Sequence, residues 1–193
     1  GLYLDHFDGR IDGALLVDNV ATAWGGGASL SMCGGAQLHN WMVYDNEAAW
    51  GGGMVIQGGW DTLSHMLVAS NTATAYGGGL WLLDDNSDAE YLRVVDNHAD
   101  GGGGGLNLQN YWGTLRHSVV AGNHAAQGGG IFSSEASPAL EAVALWDNTS
   151  ASPGGGIFAE NYPPTVAYTA LWANVPDDVT GMDEPSTADG NVY

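Results

Sequence analysis

An all-β chain, coiled as a right-handed parallel β-helix of about seven rungs, is predicted by three observations. An asparagine recurs at Asn19, Asn46, Asn71, Asn97, Asn123, Asn148 and Asn174, in steps of 27, 25, 26, 26, 25 and 26 residues. A glycine run follows each of the first six, at Gly25–Gly27, Gly51–Gly53, Gly77–Gly79, Gly101–Gly105, Gly128–Gly130 and Gly154–Gly156. Directly after each run, apolar residues alternate with period two, as in a strand. Self-similarity at a fixed period near 26 identifies a solenoid, in which each repeat buries its apolar face only by stacking on its neighbours.

The strand after the glycines is defined by two buried columns. One holds Leu2, Ala28, Met54, Leu80, Leu106, Ile131 and Ile157, and the other, two places on, holds Leu4, Leu30, Ile56, Leu82, Leu108, Ser133 and Ala159. The mixed column between them, Tyr3, Ser29, Val55, Trp81, Asn107, Phe132 and Phe158, is expected to point outward. A second strand ends at each asparagine, with Leu16, Val43, Val68, Val94, Val120, Leu145 and Leu171 as its core column. Its outward columns, Leu15, Met42, Leu67, Arg93, Val119, Ala144, Ala170 and Val17, Tyr44, Ala69, Val95, Ala121, Trp146, Trp172, carry one charge, Arg93. A strand apolar on both faces is normally covered on both, so Leu15, Met42, Leu67, Tyr44, Trp146 and Trp172 are the expected interface.

The segments between these strands read as loops, at Gly34–Gly35, Gly58–Gly59, Asp84 to Asp88 and Pro163–Pro164. The repeat domain covers residues 1–174. Residues 175–193 carry neither a glycine triplet nor a clear strand and read as a tail, a cap or an inter-subunit segment. At the other end, residues 1–19 align without a gap on Gly79 to Asn97, so the chain opens inside a repeat. An open first rung presents unpaired backbone, and the expectation is a processed or excised piece, or a rung that pairs with something else.

Inward asparagines on rungs about 4.8 Å apart can form an amide ladder that satisfies polar groups where the strands are interrupted. The glycines permit positive φ and close backbone approach. A phosphate loop needs glycines that open a helix, with a lysine; here strands follow and the chain has no lysine.

Composition narrows function further. Three arginines (Arg10, Arg93, Arg116) against 22 acidic residues leave a net charge of −19, which opposes nucleic acid and anionic lipid. Cys33 is the only cysteine, which rules out an internal disulfide and a cysteine-built zinc site. No stretch approaches the ~18 consecutive apolar residues of a spanning helix, so no membrane insertion is expected.

The glycine triplet followed by Leu, Ile, Met or Ala, paired with aliphatic-x-x-Asn as in Val94-Val95-Asp96-Asn97 and Leu145-Trp146-Asp147-Asn148, resembles the repeats of chlamydial polymorphic outer-membrane proteins. It resembles bacterial secreted β-helix repeat proteins more broadly. Glycine stands where that family has alanine, and an aliphatic residue where it has phenylalanine. The resemblance spans Gly1 to about Asn174 and implies a right-handed β-helix passenger, extracellular or at the cell surface, with adhesion as a family function.

Catalysis is unlike this composition. A lyase acting on acidic sugar needs a base and several cations, and three scattered arginines do not supply them. A two-carboxylate hydrolase needs a specific pair, whereas the aspartate column before the ladder, Asp18, Asp45, Asp96 and Asp147, is interrupted by Ser70 and Gly122. The expected cofactor is calcium, on the alternating oxygens of Asp84, Asn86, Asp88 and Glu90, with Asp177, Asp178, Asp183, Glu184, Asp189 and Asn191 as a second acidic cluster. His98 and His124 share a column and offer two transition-metal ligands, with exposed turn residues as the alternative. Trp24, Trp50 and Tyr76 precede successive glycine runs and are expected to stack, as a stabilising ladder or as a platform for glycans. Asn148-Thr149-Ser150 fits the glycosylation pattern, but its asparagine belongs to the inward ladder. The expected function is therefore structural: an extracellular subunit that self-associates, head to tail into a filament. A carbohydrate-binding or adhesin module is the alternative, and a polysaccharide hydrolase or lyase a further one.

Overall fold

The computed structural model describes residues 1–182 and Val192. Of the acidic tail cluster, Asp183, Glu184, Asp189 and Asn191 lie outside the described residues. The chain is a parallel β-solenoid of about seven turns, each of about 26 residues, and no helix occurs among the described residues. Every strand pairs with its equivalent one turn on, so Leu80 faces Met54 on one side and Leu106 on the other.

The first sheet is built from the strands after the glycines: Leu2–Asp5, Ala28–Ser31, Met54–Gln57, Leu80–Leu83, Leu106–Gln109, Ile131–Ser134, Ile157–Glu160 and Val179–Thr180. The second sheet takes two short strands per turn, such as Asp88–Glu90 and Arg93–Val95, which are continuous in the first two turns as Arg10–Val17 and Gln37–Tyr44. A third sheet follows five of the asparagines, as Glu47–Trp50, Thr72–Tyr76, His98–Ala99, His124–Ala125 and Thr149–Ser150, with single bridges at Val20 and Val175 after Asn19 and Asn174. Segments expected to be loops thus contribute strands, because stacking supplies their hydrogen bonds even where two or three residues are too few to show a period.

Left-handed residues make the bends. In the fourth turn these are Asp84 (φ 51°), Tyr91 (φ 54°), Asp96 (φ 55°) and Gly103 (φ 69°). The position before every ladder asparagine is left-handed: Asp18, Asp45, Ser70, Asp96, Gly122, Asp147 and Ala173. Aspartate and glycine tolerate that conformation best among these types, so the aspartate column reflects backbone geometry. The next two glycines answer a different demand. A Cβ on Gly104 would lie 2.5 Å from the carbonyl oxygens of Gly129 and His124, and one on Gly105 would lie 3.0 Å from Asn123 Nδ2.

The inward columns form one continuous core that also encloses Trp41 and Tyr111. Trp41 donates its indole N–H to Ile11 O at 3.2 Å, and Tyr111 donates its hydroxyl to Ser87 O at 2.6 Å, as buried polar groups require. The mixed column points outward as expected but is covered there. It does lie on the far side of the first sheet from the core, yet Val55, Trp81, Asn107 and Phe132 are buried, because side chains from the neighbouring corner cover them. A Cβ on Gly77 would lie 2.9 Å from Trp81 Cβ, and one on Gly102 would lie 3.0 Å from the Phe132 ring. The bare glycine corners let the chain fold down onto that face.

After Asn174 the pattern continues without its glycines. Val179–Thr180 pairs with Ile157 and Phe158, and the carbonyls of Asp177 and Asp178 accept from the amides of Gly156 and Ile157. Val192 lies along the last strand of the second sheet, accepting from Leu171 N and donating to Thr169 O.

Candidate functional site

The asparagine ladder is the internal frame. Asn71 Nδ2 donates to Asn97 Oδ1 at 2.9 Å and to Val43 O at 2.9 Å, and Asn71 N donates to the same Asn97 oxygen at 2.9 Å. Asn46, Asn97, Asn123 and Asn148 repeat these bonds, and Asn19 enters the series at Asn46 Oδ1. At the far end Asn174 donates to Asp178 Oδ1. Apart from half-buried Asn19, these seven side chains are buried with their hydrogen bonds made, which leaves none facing a ligand and puts Asn148 out of reach of a glycosylating enzyme.

The outer face of the first sheet is different. Its central column runs Val55, Trp81, Asn107, Phe132, Phe158, so one small amide interrupts a bulky series. The interruption leaves an open cavity of about 310 Å³ lined by Trp50, Tyr76, Trp81, Asn107, Gln109, Phe132, Ser134 and Glu160. Aromatic contacts frame it. Trp24 stacks on Trp81 at 5.1 Å and is tilted against Trp50 at 5.7 Å, while Tyr76 meets Phe132 at 6.2 Å and Phe132 stacks on Phe158 at 5.5 Å. The expected simple stack of Trp24, Trp50 and Tyr76 is thus replaced by two clusters that interleave with the sheet's own aromatics, because the corner side chains lean across the face. Ser134 donates to Glu160 Oε2 at 3.2 Å on the cavity's edge. Trp81 Nε1 and Asn107 Oδ1 are shielded from solvent and have no hydrogen-bond partner among the described residues.

The second sheet presents the apolar columns before the ladder. Leu15, Met42 and Trp172 are exposed, and Leu67, Tyr44 and Trp146 are half-buried. Trp146 and Trp172 stack at 5.9 Å with nearly parallel rings. Val119, Val95, Ala69 and Ala144 complete the strip, and Arg93 stands exposed midway along it.

The acidic stretch splits by side. Asp84, Asn86 and Asp88 alternate outward and are exposed, with Glu90 half-buried, while Asp85 and Ser87 turn inward. Asp84 accepts from Asn110 Nδ2 at 2.8 Å and Asp88 accepts from Thr114 N at 3.1 Å. Among the described residues no three His, Cys, Asp or Glu side chains gather as a metal site would require. His98 and His124 stack face to face at 5.2 Å, and each bonds elsewhere, to Asp100 and Thr149.

Two inward carboxyls, Asp61 and Asp85, went unnoticed in the sequence. Asp61 Oδ1 accepts from Ala36 N at 2.8 Å and Gly35 N at 3.1 Å, and its other oxygen is buried without a partner. Asp85 accepts from Gly59 N at 2.8 Å and Ser87 N at 2.7 Å. Burial pushes the carboxyl of Asp61 upward and that of Asp85 up to about 6, with the Asp61 charge adding to the latter. They secure loop amides at one bend, each taking two.

The cavity residues Asn107, Gln109 and Phe132 also escaped sequence reasoning as a site. Their only signal was the polar break between Trp81 and Phe132, which means little until the corner aromatics are known to close over it. Comparison of the chain with family models, curated proteins and solved structures finds no match, so what is known of its likeness to other proteins is its architecture, a parallel β-solenoid.

Proposed function

We propose that the chain is a structural protein, extracellular or at the cell surface, that self-associates through the apolar outer face of its second sheet. The observation that carries the reading is that face, where Leu15, Met42 and Trp172 stand exposed on a molecule of net charge −19. A column of exposed and half-buried apolar side chains, broken by Arg93, marks an interaction surface on a strongly charged protein. Seven rungs at about 4.8 Å and the three-residue strand before each asparagine at about 3.3 Å per residue give an apolar strip of roughly 34 Å by 10 Å, about 340 Å². A stable interface takes about 800 Å² per partner, so the strip is the apolar centre of a contact whose rim is the polar neighbouring strand, where Asp12, Asp88, Glu90 and Glu141 stand.

A second copy is the occupant that charge favours. The strip carries one cation and no anion, so two such strips meet without burying carboxylates at the centre of the contact, although the rest of each molecule repels the other. Side-to-side contact is also compatible with the last rung, where Asp178 takes the final donor of the ladder and Val192 pairs with the second-sheet strand. The paired glycine and asparagine motifs, with their resemblance to secreted passenger repeats, support the location.

Sedimentation velocity at rising salt tests this. Association should strengthen as salt screens the repulsion, and Met42→Glu with Leu67→Glu should abolish it while leaving the fold intact by circular dichroism. A chain that stays monomeric at high concentration and high salt would remove the proposal, and single-file particles in negative stain that survive both substitutions would assign assembly to the ends.

A further inference from the structure

We infer that the cavity on the outer face of the first sheet is a binding site for an uncharged sugar ring of a neutral glycan. The inference is independent of lateral docking, which uses a different sheet.

The argument begins with Asn107. Its neighbours in the column, Trp81 and Phe132, are bulky, and a leucine or phenylalanine in its place would continue the packed series. An asparagine there is 2% exposed and its carbonyl oxygen has no partner. The adjacent Trp81 is 7% exposed and its indole N–H has no partner either. Leaving a polar group buried and unmet is costly, and here an unmet acceptor and an unmet donor occupy directly paired positions on consecutive rungs. All the ladder asparagines are satisfied, so the exception is local. Both atoms are closed to water, so a ligand hydroxyl, which both donates and accepts, meets them when the Asn107 amide turns toward the cavity that both residues line.

The walls specify what carries the hydroxyl. Exposed Tyr76, backed by the largely buried ring of Phe132, presents aromatic surface that packs against the apolar face of a sugar ring. Gln109 and Glu160 edge the cavity on the other side and meet hydroxyls at a ring's rim. No cationic side chain lines the cavity, and with Glu160 at its edge and a net charge of −19 an anionic sugar is repelled. A volume of about 310 Å³ is at the small end of ligand sites, suited to one ring with its neighbours lying outside.

The test uses the whole chain, ¹⁵N-labelled, titrated with neutral hexasaccharides of glucose, mannose, xylose and galactose, and with a galacturonate hexamer as the anionic control. The Trp81 indole N–H resonance, assigned by its absence in Trp81→Phe, should shift saturably with at least one neutral probe and not with galacturonate. Asn107→Leu should weaken that binding at least tenfold while raising the thermal midpoint, because it fills the cavity and removes an unmet polar atom. Phe132→Leu, which keeps the site apolar without its ring, should weaken binding in a chain that stays folded. Absence of a saturable shift with every neutral probe overturns the inference, as does unchanged affinity in Asn107→Leu. Loss of stability in Asn107→Leu also overturns it, by giving the amide a structural role.

Discussion

Asp178 Oδ1 lies 2.7 Å from Asn174 Nδ2 and also accepts from Asn174 N, so a carboxylate four residues along the chain takes the place that the next asparagine fills at every earlier rung. The same residue's carbonyl accepts from Ile157 N. Side chain and backbone of Asp178 thus take the two roles that separate residues fill in earlier rungs.

Removing that carboxylate should be felt locally. Asp178→Ala is expected to cost about 1–2 kcal/mol, the net worth of a hydrogen bond or two to a charged, half-exposed acceptor. In a stacked array each turn touches only its neighbours, so hydrogen exchange should accelerate in the last turn and stay unchanged around Asn71. Asn97→Ala in the middle should be worse. It strips acceptors from Asn71 N and Nδ2 and donors from Asn123 Oδ1 and Val68 O, all buried, and we expect about 3–5 kcal/mol in urea denaturation.

Asp85 should make stability fall as pH rises from about 4 to 6. Its folded carboxyl titrates near 6 against the usual 3.8, chiefly through burial, so in that window the folded chain keeps a proton the unfolded chain has lost. The stability gained on protonation is fully present below the unfolded value and is lost by the time pH passes the folded one, in all about 2–3 kcal/mol. Other acids add to the slope, because acidification relieves the self-repulsion of the net charge. Asp85→Asn isolates the residue: its stability against pH should be flatter than that of the natural chain by up to one proton across the window. Equal slopes would show that Asp85 is already ionised in the fold at pH 4.

Calcium should leave the melting temperature unchanged at matched ionic strength. The side chains at Asp84, Asn86 and Asp88 are spread along an extended segment, and two of them already accept hydrogen bonds from Asn110 and Thr114. A true site at a hundredfold excess over its Kd would add about 2.7 kcal/mol, equivalent to roughly 5–10 °C for a chain of this size. A chelator-sensitive rise of that order, absent with magnesium, would establish the calcium site that the alternating acids suggest.

One substitution probes the bends themselves. Ala142 holds φ 53° in a column where Asn40, His65, Tyr91, His117 and Tyr168 are also left-handed. Ala142→Gly relieves that conformation at some loss of unfolded-state entropy, and the expected outcome is a gain of up to about 1 kcal/mol by thermal denaturation.

How far the sequence reached is clearest residue by residue. Asn97 and Gly105 were legible because a ladder requires the same residue at the same place in every turn, and repetition is visible without coordinates. Val94 and Leu106 were legible because a core column must stay apolar down the stack. Asp96 was visible but open to misreading, since its left-handed backbone leaves no mark except a preference for aspartate, serine and glycine. The strand at Asp88–Glu90 was hidden, because three residues carry no period.

By itself, then, the sequence determined the coil, its pitch in residues, and the inward faces of two of its sheets, all consequences of repetition. The tertiary structure alone decided what lies on the outside. Whether Trp81 faces water depends on Trp24, two turns earlier, leaning across a corner bare of side chains, and it is Trp50 and Tyr76 on the same face that make the single amide of Asn107 part of a cavity wall. Such contacts join residues that differ from turn to turn, and the repeat holds no record of them.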